Sequence, residues 1–236
     1  DTRNFWISKL CSYIKGARIM EYKVNLKGIF LFELKSWLGR KFITSKPKLN
    51  DNENYLNLGC GGNYVDGYIN ADFFYRFKFW KKDILKREWQ LDLRYPLVCE
   101  DEVFDGIFTE HTLEHLYPSQ VKLLLSELYR VLKKGSYIRI TVPDIEKYVL
   151  FYNKSKVQHN EEEFKKRYDT GCSGIRNITQ NYFHFSTWDF EELDKYLKEV
   201  GFIDIEKKEV AQTVDKKLNL DLKDRSWETL YVEAKK

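Results

Sequence analysis

The chain has 236 residues, of which 43% are hydrophobic and 16% aromatic. That suits one domain with a full core plus an arm, and it excludes a disordered chain. The net charge is only +4, but residues 1–48 hold eleven Lys or Arg against three Asp or Glu, which leaves the remainder near −4. No zinc-finger or RNA-binding signature accompanies this basic start, so nucleic acid is set aside as a partner. An anionic membrane surface, an acidic protein or an anionic substrate fits it better.

Residues 3–43 read as helical and amphipathic, because "FWISKLCSYIKGARIM" and "GIFLFELKSWLGRKFI" each place apolar residues at three- and four-residue spacing. The pair is expected either to pack on the body or to contact a membrane surface or a partner. The polar stretch "TSKPKLNDNEN" follows, so the arm is set at 1–48 and the main domain at 49–236. There "YLNLGC", "YINADF", "WQLDL" and "VFDGIFTE" read as strands, the last apolar enough to be buried on both faces. "SQVKLLLSELYRVLKKG" reads as a helix, with Pro118 and Ser119 at its start, Lys133 and Lys134 in its last turn and Gly135 as its cap. "SYIRITVPD" is a fifth strand and "TWDFEELDKYLKEVGF" a further helix. "IDIEKKEV" and "ETLYVEAKK" alternate as an antiparallel pair. Alternating strands and helices predict an α/β fold with a mostly parallel sheet covered on both faces. Residues 144–187, rich in aromatic and charged side chains, read as an insertion at the carboxyl edge of the sheet, where such folds bind ligands.

Cys11, Cys60, Cys99 and Cys172 lie far apart and form no C-x-x-C pair, so neither a disulfide framework nor a zinc site is expected, and a reducing cytoplasm fits. No apolar run approaches the roughly 18 residues of a membrane span, and no signal peptide is read. Gly59, Gly61 and Gly62 follow the first strand directly. They let the backbone turn tightly and approach a ligand. A G-x-x-x-x-G-K-[ST] loop is absent, and no G-x-G-x-x-G opens a long helix, which disfavours pyrophosphate. A nucleoside without phosphates fits better, with the carboxylate of Asp72 at the tip of the second strand accepting hydrogen bonds from ribose hydroxyls.

In this order, "LNLGCGG", "INADF", "LDLRYPL", "FDGIFTEHTLEHL" and "LYRVLKKGSYIRITVPD" resemble the successive motifs of class I S-adenosylmethionine-dependent methyltransferases. The subgroup they resemble most is the type 11-like one found with surface-polysaccharide biosynthesis. The resemblance covers about residues 54–234. It implies a Rossmann-like, seven-stranded, mostly parallel sheet with an antiparallel last strand, and S-adenosylmethionine as cofactor. It implies that Gly59, Cys60 and Gly61 lie against the methionine part, that Asp72 holds the ribose, and that Asp92 sits by the adenine amino group with Leu93 beside the ring. Glu110 and His111 then come off the fourth strand beside the sulfonium. Two departures stand out. Asn57 occupies a cofactor-side position where many relatives carry an acid, so it can hydrogen-bond but brings no charge. Only about ten residues separate Leu58 from Ile69, too few for the usual crossover helix, so that helix is expected to be reduced to a turn or lost, with the N-terminal arm covering the edge.

A hydroxyl acceptor usually needs a base. "EHTLEHL" places His111 and His115 four apart, with Glu110 and Glu114 at the same spacing. The pattern could hold a metal, but none is expected, because the resemblance puts this turn against the cofactor. His111 is the first candidate base, and His115 caps or packs on the cofactor side. Asp144, after the fifth strand, and His184, in "NYFHFSTWDF", are further candidates for the acceptor site. Asp144 reads alternatively as a helix cap, and His184 as a packed core histidine. Cys60 reads as a small loop filler, not a nucleophile. The leading function is methyl transfer to a hydroxyl of a small molecule or glycan intermediate. N- or C-methylation of a metabolite or protein stays open, as does a non-catalytic cofactor-binding module that docks a glycosyltransferase or the inner face of the membrane through its basic arm.

Overall fold

A computed structural model describes residues 26–74, 88–153 and 161–236. Seven strands, in the order β3-β2-β1-β4-β5-β7-β6, form one sheet. They are β1 (Tyr55–Leu58), β2 (Ile69–Asp72), β3 (Trp89–Gln90), β4 (Phe104–Glu110), β5 (Leu132–Pro143), β6 (Ile203–Lys208) and β7 (Thr229–Lys235). β7 is antiparallel to both of its neighbours, and the other ladders are parallel. This is the Rossmann-like arrangement with an antiparallel last strand that the motifs implied. The central strands are buried on both faces, with Leu56, Leu58, Ile107, Ile138 and Ile140 at 0% exposure. Layers cover a parallel sheet on both sides, so its strands read as continuous apolar runs.

The helices in chain order are α1 (Leu26–Phe42), α2 (Pro118–Val131), α3 (Ile145–Tyr152), α4 (Glu161–Arg167), α5 (Gly171–Gln180) and α6 (Phe190–Val200). Helix α2 starts on a proline and aims Val121, Leu124, Leu125 and Leu128 into the core at helical spacing. Helix α6 is capped by Asp189, whose side chain accepts from Glu192 N at 2.8 Å, and it ends on Gly201 at φ +115°. Between them, α3, α4 and α5 pack a second apolar cluster of Tyr148, Phe151, Phe164 and Ile178 around Trp227. The 144–187 stretch thus has a core of its own, although residues 154–160 lie outside the described ones.

Three expectations need correction. The α2 helix ends at Val131, not at Gly135, because fully buried Leu132 pairs with Phe104 in the sheet. Lys133 then extends its ammonium to Asp105 at 2.7 Å, and Gly135 turns at φ +79° inside the strand. β7 does not alternate, since six of its seven residues are buried. Nor is α1 amphipathic in one stripe. Ile29, Phe30, Leu31, Phe32, Leu34 and Trp37 are all exposed, and consecutive apolar residues face every side of a helix. The earlier stretch "FWISKLCSYIKGARIM" lies outside the described residues.

The chain divides into two compact units between Leu38 and Gly39. Within the second unit, residues 59–68 form turns and no helix, as their short span requires. Residues 39–45 close the sheet edge beside them. The Arg40 guanidinium lies 3.6 Å from the Tyr95 ring, Trp89 donates to Ser45 O at 2.8 Å, and Thr44 donates to Gln90 O at 3.3 Å. A Cβ on Gly39 would strike the ring of Phe74. Among the described residues, no helix is long and apolar enough to cross a membrane.

Fully buried Arg139 on β5 reaches Asp221 at 2.6 Å and Glu233 at 3.2 Å, both also buried. Removing one partner of a buried pair strands the remaining charge. Arg139→Met should therefore cost about 3–5 kcal/mol, read as a lower urea midpoint. A change below about 1 kcal/mol would show that the two acids find other compensation.

Candidate functional site

The chain leaves β1 for β2 on one side, and the next strand to pair with β1 on its other side is β4. A crevice opens at such a reversal, beyond the carboxyl ends of the strands. The glycine bend lies there. Gly59 N and Cys60 N both donate to Ala71 O, at 2.8 and 3.1 Å, so the bend is pinned to β2. Gly59 sits at φ +69°, and a Cβ there would collide with the Thr112 hydroxyl. Only glycine satisfies both conditions. Gly61 and Gly62 differ, because a Cβ on either would meet nothing within 4 Å. Among the described residues, no side chain fills that space.

Asp72, half-buried at the tip of β2, accepts from Gly61 N at 2.7 Å through Oδ2 and from Phe73 N through Oδ1. A carboxylate oxygen can accept more than one hydrogen bond. Asn57 is buried and spends its amide nitrogen on Asn63 O (2.8 Å) and Asn70 Oδ1 (2.9 Å), which shapes the loop from within. Asp92 is held by the Arg94 guanidinium at 2.7–3.2 Å, and Leu93 beside it is half-buried. Cys60 is buried.

At the tip of β4, Glu110 accepts from Leu222 N at 3.1 Å, and burial raises its carboxyl above the ordinary range. The next residue, His111, turns at φ +47°, a left-handed backbone that non-glycine residues seldom adopt. Its Nε2 lies 2.9 Å from Thr229 Oγ1, whose own proton goes to Arg225 O at 2.8 Å. The hydroxyl must therefore accept, and Nε2 carries the ring hydrogen. Nδ1 faces Glu114 Oε1 at 3.2 Å, and both side chains are less than a tenth exposed. Both ring nitrogens of His111 are thus turned inward.

A short 3₁₀ turn, Leu113–His115, carries Glu114 into the interior and leaves His115 on the surface. The segment after α5 is fastened over this turn. Phe185 N and Ser186 N both donate to Glu114 O, at 2.7 and 3.2 Å, and Phe185 stacks on Tyr117 with centroids 4.8 Å apart. Tyr182 and Phe183 stand at φ +59° and +60°. That turn swings His184 back against His115, with ring centroids 5.1 Å apart. His184 Nδ1 lies 2.8 Å from Ile178 O, and burial lowers the ring's pKa. His111, His115 and His184 therefore gather around Glu114. Asp144 is apart from them. It is fully buried, caps α3 by accepting from Glu146 N at 3.0 Å, and lies 3.5 Å from the Lys207 ammonium.

Sequence reasoning did not single out Thr112, Glu114 as a buried charge, or Thr229. Thr112 had a signal in principle, since a glycine at positive φ often has a close neighbour. Thr229 had none, because it lies 118 positions from the histidine it holds.

Residues 56–140 match the family described as a methyltransferase domain. The match runs from β1 into β5, across the glycine bend and the β4 tip, and it supports a methyltransferase for this part of the chain. Among solved structures, a SAM-dependent methyltransferase from Archaeoglobus fulgidus is 19% identical, with 92% of this chain and 100% of that one covered, at a TM-score of 0.44. The phosphoethanolamine N-methyltransferase 2 of Haemonchus contortus, in complex with S-adenosyl-L-methionine, is 16% identical. There 95% of this chain is covered but only 59% of that one, at a TM-score of 0.43. An S-adenosylmethionine-dependent methyltransferase from Mesorhizobium loti is 16% identical, covering 78% and 90%, at a TM-score of 0.46. No curated protein matches the chain.

Burial raises the Asp144 carboxyl against the opposing pull of Lys207 and Lys147. A carboxyl raised in the folded state contributes stability that is full below its unfolded pKa, about 3.9, and is lost as pH rises through the folded value. Asparagine caps as well as aspartate and does not titrate. The stability of Asp144→Asn relative to wild type should therefore grow from about pH 3 to about pH 7, as read from urea midpoints. A flat or falling difference would mean that the lysines outweigh burial.

Proposed function

We propose that the chain is an S-adenosylmethionine-dependent methyltransferase that methylates a hydroxyl of a small molecule or glycan intermediate. One observation carries the cofactor reading. The glycine bend at the strand reversal is laced to the Asp72 carboxylate, and among the described residues nothing lies within 4 Å of a Cβ on Gly61 or Gly62. A backbone lined this way suits close approach by a nucleoside, and a carboxylate at the tip of β2 suits its ribose. Gly59, Cys60 and Gly61 would hold the methionine part, Asp72 the ribose, and Asp92 with Leu93 the adenine. The bound cofactor would supply an electrophilic methyl group. The protein's own contribution is position and charge.

The acceptor reading rests on the β4 tip. A nitrogen acceptor needs only a free lone pair, whereas a hydroxyl needs a group to take its proton. Glu110, His111, Glu114, His115 and His184 converge on one turn, more acid–base capacity than an amine would require. Both ring nitrogens of His111 face inward, and His184 is nearer the surface that an acceptor would reach. Tyr182, Phe183 and Phe185, exposed at 68%, 81% and 46%, flank His184. Flat exposed rings beside polar side chains suit the apolar face of a sugar.

Calorimetry with S-adenosylhomocysteine tests the cofactor. The wild type should bind it, and Asp72→Ala should bind it roughly 10- to 100-fold more weakly, from a lost charge-assisted contact. Gly62→Ala adds a methyl group into open space, so it should leave the urea midpoint unchanged within about 0.5 kcal/mol. Binding should nevertheless weaken by about 1–3 kcal/mol, the cost of overfilling a packed site. No heat with well-folded wild type would end the cofactor reading. Binding without methyl transfer from labelled cofactor to any of a panel of hydroxylated acceptors, but with transfer to amines, would end the acceptor reading.

A further inference from the structure

Among the described residues, Glu114 is the one with two buried side-chain oxygens that lack a hydrogen-bond partner. It is 2% exposed, and neither carboxylate oxygen has an aligned hydrogen bond. A carboxylate buried without a hydrogen-bond partner is costly unless a cation compensates it. The nearest imidazole, His111, is fixed by Thr229 on its far side and offers Glu114 a contact without alignment.

Two further histidines complete a set. Ligand atoms of Glu114, His115 and His184 all lie within 4.8 Å of one another. The Ile178 carbonyl can only accept, so His184 Nδ1 donates to it and the lone pair is left on Nε2. The Phe183 carbonyl lies 3.4 Å from His115 Nδ1 and favours the same tautomer. Metal-binding imidazoles usually have their second nitrogen fixed in this way by a backbone carbonyl. Ligand atoms about 2.1 Å from a tetrahedral ion stand about 3.4 Å apart. The set must close slightly to reach that spacing.

We propose that Glu114, His115 and His184 bind one divalent transition-metal ion of the Zn²⁺ class. Two imidazoles and a carboxylate are borderline-soft ligands that suit Zn²⁺ or Co²⁺ over Mg²⁺ or Ca²⁺. Three protein ligands leave a coordination position open, the pattern of catalytic and not of structural zinc. An acceptor hydroxyl in that position would lose its proton more easily. That chemical role rests on the proposed hydroxyl methylation; the binding of the ion does not.

The test uses the full chain, stripped with chelator and titrated with Co²⁺ followed by visible absorption. One Co²⁺ per chain is expected, with the d–d bands of a low-coordinate nitrogen–oxygen site and displacement by Zn²⁺. His115→Ala and His184→Ala, each checked for a cooperative thermal transition, should weaken Co²⁺ binding at least 10- to 100-fold, the loss that removing even an outer supporting group brings. If the folded wild type takes up no Co²⁺, or both variants bind it as the wild type does, the site does not exist. A thiolate-to-cobalt charge-transfer band would place the ion on cysteine and overturn the assignment equally. S-adenosylhomocysteine binding is measured on the same wild-type sample. Co²⁺ uptake without nucleoside binding removes the cofactor reading and keeps the metal site, and the reverse result removes the metal site alone.

Discussion

Everything at the carboxyl edge of the sheet depends on the bend after β1. Two consecutive amides, of Gly59 and Cys60, share the Ala71 carbonyl, and this fixes the loop to the neighbouring strand. The bend is possible only because Gly59 accepts a left-handed backbone while pressed against Thr112. Thr112 belongs to the segment leaving β4. The bend therefore ties the strand that opens the crevice to the one that carries the acid–base cluster. With no helix between β1 and β2, this lacing has to do what helix packing would otherwise do.

The interior handles charge in two ways. Arg139 is surrounded by acids and carbonyls, with Asp221, Glu233, Gln212 O and Glu209 O all within 3.2 Å. That charge is satisfied and serves to lock β5 and β7 to the segment before β7. Glu114 is the opposite case, a buried carboxylate whose oxygens find no aligned donor. Strained backbone at His111, Tyr182 and Phe183 borders it on both sides. Backbone strain of this kind persists where the surroundings impose it and collects at working sites.

Sequence spacing exposed much of the fold. The β4 strand, the start of α2, the α6 helix and the missing crossover helix were all legible, because each follows from local composition and chain length. The end of α2 was not, since Lys133, Lys134 and Gly135 look like a helix terminus, and only the burial of Leu132 against Phe104 pulls the chain into the sheet. The exposed apolar residues of α1 were misread as one face for a related reason. Spacing shows that apolar residues recur, but it does not show how many sides of a helix they occupy.

By itself the sequence determined the order of the strands with helices α2 and α6, the glycine bend and the acid at the tip of β2, because turn chemistry and apolar periodicity act between residues close in the chain. Only the tertiary structure decided which polar groups meet. His184 reaches His115 across 69 positions through a left-handed turn, and Thr229 reaches His111 from the antiparallel strand β7. It also decided that Glu114 points inward while His115, one residue later, points out. Such encounters are set by how distant segments pack, and no local pattern of residues encodes them.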